Sequence, residues 1–191
     1  GDSAYINGNG NGIASWNWKA NGTGVANTDG TISSTVSANT TSGFSIVKYT
    51  GTGSNATVGH GLGSAPKFIM VKRLDGTSVS WVCYHASLAS GYVINIDTSD
   101  ASNSLATAFQ STDPSSSVFS VGTSYFTNNS TNNYIAYCFA DVQGFSKMGS
   151  YTGNGSTDGT FVYTGFKPSF VLIKSSSSAQ SWNILDIKRD I

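Results

Sequence analysis

The sequence predicts an all-β protein made of antiparallel β-sandwich units in tandem, one complete and one partial. Three observations carry this. Apolar residues come in short runs or alternations punctuated by Gly, Asn, Asp and Ser, and no window offers a helical apolar stripe. Strong helix formers are scarce: Leu occurs six times, all ten acidic residues are Asp, and aromatics make up 12% of the 191 residues. The chain also repeats itself at an offset of 101 or 102 residues.

The repeat sets the organisation. Gly43-Phe44-Ser45 recurs as Gly144-Phe145-Ser146, and Tyr49-Thr50-Gly51 as Tyr151-Thr152-Gly153. Gly63 and Pro66 match Gly165 and Pro168, Phe68-Ile69-Met70-Val71-Lys72 matches Phe170-Val171-Leu172-Ile173-Lys174, and Trp81 matches Trp182. The expected division is therefore a complete unit over 43–143 and the first half of a second over 144–191. Residues 1–42 read as the end of a preceding unit plus a linker strand. On this reading the chain is part of a longer repetitive protein.

Strands are expected at 13–18, 31–36, 43–50, 67–73, 79–85, 91–97, 104–109, 117–121, 133–140, 144–151, 159–164, 169–174 and 180–186. Trp16 and Trp18 share one face of the first. Phe68–Val71 and Phe170–Ile173 are continuously apolar and read as central strands covered on both faces. Pro66 and Pro168 precede them, where a missing N–H does least harm. Asn133–Ala140 closes the complete unit. The matches Trp81 with Trp182 and Cys83 with Ile184 point these positions inward, and Val82 with Asn183 points that side outward. Gly51, Gly53, Gly153 and Gly155 are turn glycines, and no helix follows them to make a dinucleotide fingerprint.

Chemistry is sparse. Charged residues make up 10% of the chain and the net charge is zero, which argues against a nucleic-acid surface. No apolar run approaches the roughly 20 residues of a membrane span, and no signal-peptide pattern is present. There is no GxSxG elbow, HExxH motif or phosphate loop. Asp97 and Asp100 read as turn residues rather than a glycosidase carboxylate pair. Two cysteines, Cys83 and Cys138, are too few for a disulfide framework and read as buried thiols. His60 and His85 do not recur in the second unit and do not make a metal set. Six Asn-x-Ser/Thr sites, at Asn21, Asn39, Asn55, Asn128, Asn129 and Asn154, arise easily in this composition. No catalytic residue, cofactor or metal is expected.

Exposed aromatic faces among Asn, Asp and Ser side chains are what a sugar-binding surface uses. Trp81 and Trp182 are set aside as core, and Trp16 and Trp18 read as core or inter-unit contact. The ligand candidates are Tyr84, His85, Tyr92, Tyr125 and Phe126, which lie outside the repeated positions or differ between the units.

The stretch Asn17-Trp18-Lys19-Ala20, then Gly43–Val47, then Tyr49–Gly63 with Ala65-Pro66-Lys67, resembles a domain of uncharacterised function in marine bacteriophage structural proteins. Tyr134–Ala140 and Gly149–Gly155 fit the same pattern. The resemblance implies a virion-surface location in a tail fibre or appendage, where such domains often lie beside lectin-like sandwiches. Fibres are commonly trimeric, so a homotrimer contacting other virion proteins and host surface polysaccharide is expected, with no membrane insertion and no nucleic acid. The alternatives are a capsid decoration protein without receptor binding, an extracellular carbohydrate-binding module or adhesin, and a tailspike enzyme, for which no carboxylate pair speaks.

Overall fold

A computed structural model describes residues 8–10 and 12–187; the outermost parts of the first and last expected segments, 1–7 and 188–191, lie outside the described residues. The fold is all-β with antiparallel sheets. In chain order the elements are β1 (Val25–Asn27), β2 (Ser34–Asn39), β3 (Phe44–Thr50), β4 (Ala56–Gly59), β5 (Phe68–Arg73), β6 (Val82–His85), β7 (Tyr92–Asn95) and β8 (Asn103–Ser104). A four-residue helical turn, α1 (Ala106–Phe109), follows, then β9 (Val118–Val121), β10 (Asn133–Phe139), β11 (Phe170–Ile173) and β12 (Asn183–Asp186).

Eight strands form one sheet in the order β1-β2-β3-β10-β5-β6-β7-β8. The closing strand β10 is inserted at its middle, with Tyr134 opposite Tyr49 and Arg73, and Phe139 opposite Phe44 and Phe68. β4 and β9 make a separate two-stranded sheet. The core lies on one face of the large sheet. Val47, Ile69, Val71, Val82 and Ala136 from that face pack with Val58, Phe119 and Val121 from β4 and β9, and with Ala108 and Phe109 from α1. The opposite face of the large sheet carries a second aromatic layer: Phe44 and Phe139 at 4.9 Å, Phe68 and Phe139 at 5.9 Å, and Trp81 stacked on Tyr137 at 6.0 Å. Period-two alternation explains both layers, because successive residues of β10 face opposite sides.

Inside the core, Tyr49 and Tyr134 stack at 5.3 Å with their planes 16° apart. The Tyr49 hydroxyl donates to the Thr127 carbonyl at 2.6 Å and the Tyr134 hydroxyl to the Tyr125 carbonyl at 2.8 Å. Asn128 completes the anchor. Its Oδ1 accepts from the Thr52 N–H at 2.8 Å, and its Nδ2 donates to the Ser54 and Gly122 carbonyls at 2.6 and 2.7 Å. A buried side-chain amide stays buried only when paired in this way.

The structure corrects several expectations. The strand expected over 104–109 stops at Ser104, the end of β8, and residues 105–109 are not a strand. Ala108 and Phe109 are both buried, and the Ala108 N–H donates to the Leu105 carbonyl at 2.9 Å, the local pairing of a helical turn and not the cross-strand pairing of a ladder. Gln110 ends that turn in the left-handed region at φ 56°. Its amide donates to the Ala56 and Val121 carbonyls at 3.0 and 2.8 Å, tying α1 to β4 and β9. β1 and β4 are short strands that the pattern does not predict. Residues 13–18 and 159–164 form no strand, and 144–151 contributes only a bridge from Ser146 to Val142. The face assignment in β6 is also reversed. Val82 belongs to the main core, whereas Trp81 and Cys83 lie on the opposite face, where Cys83 is buried too. β1 and β2, from the segment expected to precede the unit, hydrogen-bond into the same sheet as β3.

His60 follows β4 and is fully buried. Its backbone N–H donates to Ser117, its Nδ1 accepts from the Leu62 N–H at 3.2 Å, and its Nε2 lies 3.2 Å from the Ser115 carbonyl. That set requires the neutral tautomer with the proton on Nε2. Burial holds its pKa below the usual imidazole value, against smaller opposing contributions from the Ser115 carbonyl and Asp29.

Two expected outcomes follow from the core. The unfolded chain takes up a proton on His60 more readily than the fold does. Stability is therefore full above about pH 6.5 and falls as pH drops from there towards the lowered folded value. His60→Gln should be less stable near neutrality, and its stability should fall less on going to about pH 5. His85, also held low by burial, keeps part of the slope. Urea unfolding at the two pH values measures both. Asn128→Ala should cost roughly 3 kcal/mol, since it strands buried backbone groups, and the urea midpoint should drop with an unchanged slope.

Candidate functional site

The structure separates the five ligand candidates into two places. Tyr84, His85 and Tyr92 rim a shallow depression with room for about 20 Å³, about one water. Tyr84 is half-buried there, with its hydroxyl donating to Asp113 at 3.0 Å and its ring edge-on to Phe109 at 5.9 Å. Burial and the Asp113 carboxylate push its phenol well above the usual value. His85 lies against Phe68 at 6.1 Å, and its Nδ1 accepts from the Ser87 N–H at 3.1 Å. These are packing and turn-capping roles that leave little surface for a ligand. Tyr92, at the start of β7, is exposed.

Tyr125 and Phe126 line a different feature, an open groove of about 540 Å³. Their rings stack on each other at 4.1 Å. Phe126 packs against the core, and Tyr125 stays 51% exposed. The loop after β5 lines the same groove with Thr77, Ser78, Val79 and Ser80, and Arg73 joins it from the end of β5.

Local chemistry sets both walls. The loop 74–81 folds back onto its own strand. Arg73 donates through Nη2 to the Thr77 carbonyl, and Lys72 donates through Nζ to the Val79 carbonyl while lying 5.7 Å over the Trp81 ring. Gly76, at φ 72°, supplies the left-handed residue the turn needs. Asp75 then accepts from the Asn133 backbone N–H at 3.0 Å and from the Asn132 and Asn133 amides at 2.8 and 2.9 Å. The Asn133 N–H, ahead of the amide bonds and Arg73, holds the Asp75 carboxyl below its ordinary pKa. The other wall is the loop held by Tyr49, Tyr134 and Asn128. An exposed aromatic face, a guanidinium and several hydroxyls thus converge on one open groove, the combination that binds polar ring compounds such as sugars. Sequence reading singled out Tyr125 and Phe126 but not Arg73, Thr77, Ser78 or Ser80. The available signal was the Lys72-Arg73 pair at the end of an apolar strand, followed by the polar Asp75-Gly76-Thr77-Ser78 turn.

Among the described residues, no group of three or more His, Cys or Asp side chains is placed to hold a metal ion. No helix among them is long and apolar enough to cross a membrane. Cys83 and Cys138 are free thiols. Burial pushes Cys138 up to about 12 and raises Cys83 well above the usual thiol range. Both should resist a thiolate-selective reagent in the native chain and react fully once the chain is unfolded in urea, as counted by mass spectrometry.

Over residues 1–191 the chain matches a family described as a domain of unknown function, DUF7483. No curated protein matches it. No solved structure matches it either.

Proposed function

The chain belongs to the DUF7483 family, and we propose that it is a virion structural and adhesive domain of a bacteriophage, a tail fibre or appendage module that contacts host surface glycans. The observation that carries the adhesive part is the groove that the exposed Tyr125 lines together with Arg73, Thr77, Ser78 and Ser80. A flat aromatic face takes the C–H side of a sugar ring, and the hydroxyls and guanidinium meet its oxygens. The virion part rests on the resemblance of Tyr49–Gly63, Tyr134–Ala140 and Gly149–Gly155 to bacteriophage structural domains. Tandem units, assembly as a homotrimer and a virion-surface location belong to the same proposal. The hairpins β5–β6 and β11–β12 support the tandem reading, because they share a register: Phe68 faces His85 as Phe170 faces Asp186, and Val71 faces Val82 as Ile173 faces Asn183.

A panel of bacterial surface polysaccharides tests the adhesive role. The chain should bind at least one of them. Tyr125→Ala should weaken that binding about tenfold, the loss of roughly 1.4 kcal/mol of stacking, with an unchanged urea midpoint. Tyr92→Ala should leave binding unaltered. Binding that survives Tyr125→Ala would place the glycan elsewhere. Binding to purified capsids, with none to cells or polysaccharide, would favour a decoration protein.

A further inference from the structure

Segment 144–162 exposes what its sequence match 43–60 buries. Phe44 is 4% exposed and its sequence match Phe145 is 56% exposed; Tyr49 is 2% exposed and its match Tyr151 is 50% exposed. His60 is fully buried, whereas its match Val162 is exposed. The cause lies in the pairing. β5 runs between β6 and β10, while among the described residues β11 pairs with β12 alone. Among the described residues no strand lies beside the opposite edge of β11, whose four residues are all apolar. Trp16 and Trp18 touch Phe170 through their rings, at 5.8 and 5.7 Å, but residues 13–18 form no ladder with β11.

We infer that this edge of β11 is a strand-acceptor site, and that its occupant is the closing strand of a further unit of this same fold. The chemistry of that strand follows from β10. Ala136 and Cys138 sit opposite Val71 and Ile69 on the core side of β5, and Tyr137 and Phe139 sit opposite Met70 and Phe68 on the other side. Val171 and Ile173 stand where Ile69 and Val71 stand in β5. The occupant is therefore antiparallel to β11, with small apolar residues opposite Val171 and Ile173 and aromatic ones opposite Phe170 and Leu172. Main-chain hydrogen bonds supply the affinity, and the alternation fixes the register. This inference is independent of the glycan groove, since none of its residues lines it.

A synthetic peptide with the sequence of residues 132–141 is the probe, added to the full chain and followed by hydrogen-exchange mass spectrometry. Exchange in 169–174 should slow about tenfold at a tenfold excess of peptide over its Kd, with 44–50 and 68–73 unchanged. The double variant V171D/I173D should abolish that slowing while keeping 68–73 protected, which shows that the large sheet is still folded. Three results would each overturn the inference: no slowing in 169–174, equal slowing with a scrambled peptide, or slowing confined to 44–50 and 68–73. So would protection of 169–174 that rises with chain concentration in the absence of peptide, because copies of the chain would then be covering one another.

Discussion

Tyr49 and Tyr134 meet face to face across the β3–β10 pair, and each sends its hydroxyl out of the core into the same loop. Two separate problems are met by this one contact. A tyrosine buried in an apolar core must pair its hydroxyl, and a loop buried against a sheet must pair its carbonyls. The Thr127 and Tyr125 carbonyls meet both needs, and the Tyr134 oxygen in turn accepts from the Asn129 N–H at 2.8 Å. Desolvation raises the Tyr49 phenol well above its usual value, so it remains a neutral donor at any physiological pH. The loop is consequently fixed to the sheet from below, and Asn128 fixes it from the side through Thr52, Ser54 and Gly122.

That anchoring depends on where β10 goes. The strand arrives late in the chain and must enter between β3 and β5, which are already linked through β4 and its connections. Most of the sheet is therefore built from contacts distant in sequence, and β5 and β3 acquire their second neighbour only when β10 is seated. The contrast between the two halves of the chain has the same origin. Where β10 is present, the Gly-Phe-Ser segment and its following Tyr become a buried strand. Where β11 has no second neighbour among the described residues, the matching segment 145–151 is irregular and its aromatics face solvent.

This also explains what could be read in advance. The all-β class, the central strand Phe68–Val71 and the closing strand at Asn133–Phe139 were legible, because continuous or alternating apolar runs report burial directly; Phe170–Ile173, expected as a second central strand, is half-buried and among the described residues pairs with β12 alone, since an apolar run does not say whether a second neighbour is there to cover it. β1 and β4 were not legible. Val25-Ala26-Asn27 and Ala56-Thr57-Val58-Gly59 have weak patterns of their own and are strands because β2 and β9 pair with them. The expected strands at 144–151 and 159–164 err in the opposite direction: their patterns are strand-like, but a strand needs a neighbour to bond. The face of β6 was misread because Trp81 looks like core. With apolar layers on both sides of the sheet, size alone does not say which layer a residue joins. In the groove, Tyr125 and Phe126 were legible as aromatics outside the repeated positions. Arg73 and the hydroxyl-bearing residues 77, 78 and 80 were not, since only the fold-back of 74–81 brings them to the groove that Tyr125 lines.

The division of labour between these walls has a consequence for recognition. The aromatic wall is rigid, because Phe126 is packed in the core and the carbonyls on either side of it are bonded by Tyr134 and Tyr49. The hydroxyl wall is a short loop held through its backbone: Arg73 and Lys72 grip the Thr77 and Val79 carbonyls, and Asp75 is pinned to Asn132 and Asn133. Its Thr and Ser side chains can therefore vary without disturbing the fold, while Tyr125 keeps the same platform beneath any ligand. If the proposed glycan binding holds, a fixed stacking surface beside an exchangeable set of hydrogen-bonding groups would let one scaffold change its sugar specificity by substitution in residues 77–80 alone. In a chain whose surface is mostly Ser, Thr, Asn and Gly, such substitutions stay within the residue types the rest of the sequence already uses.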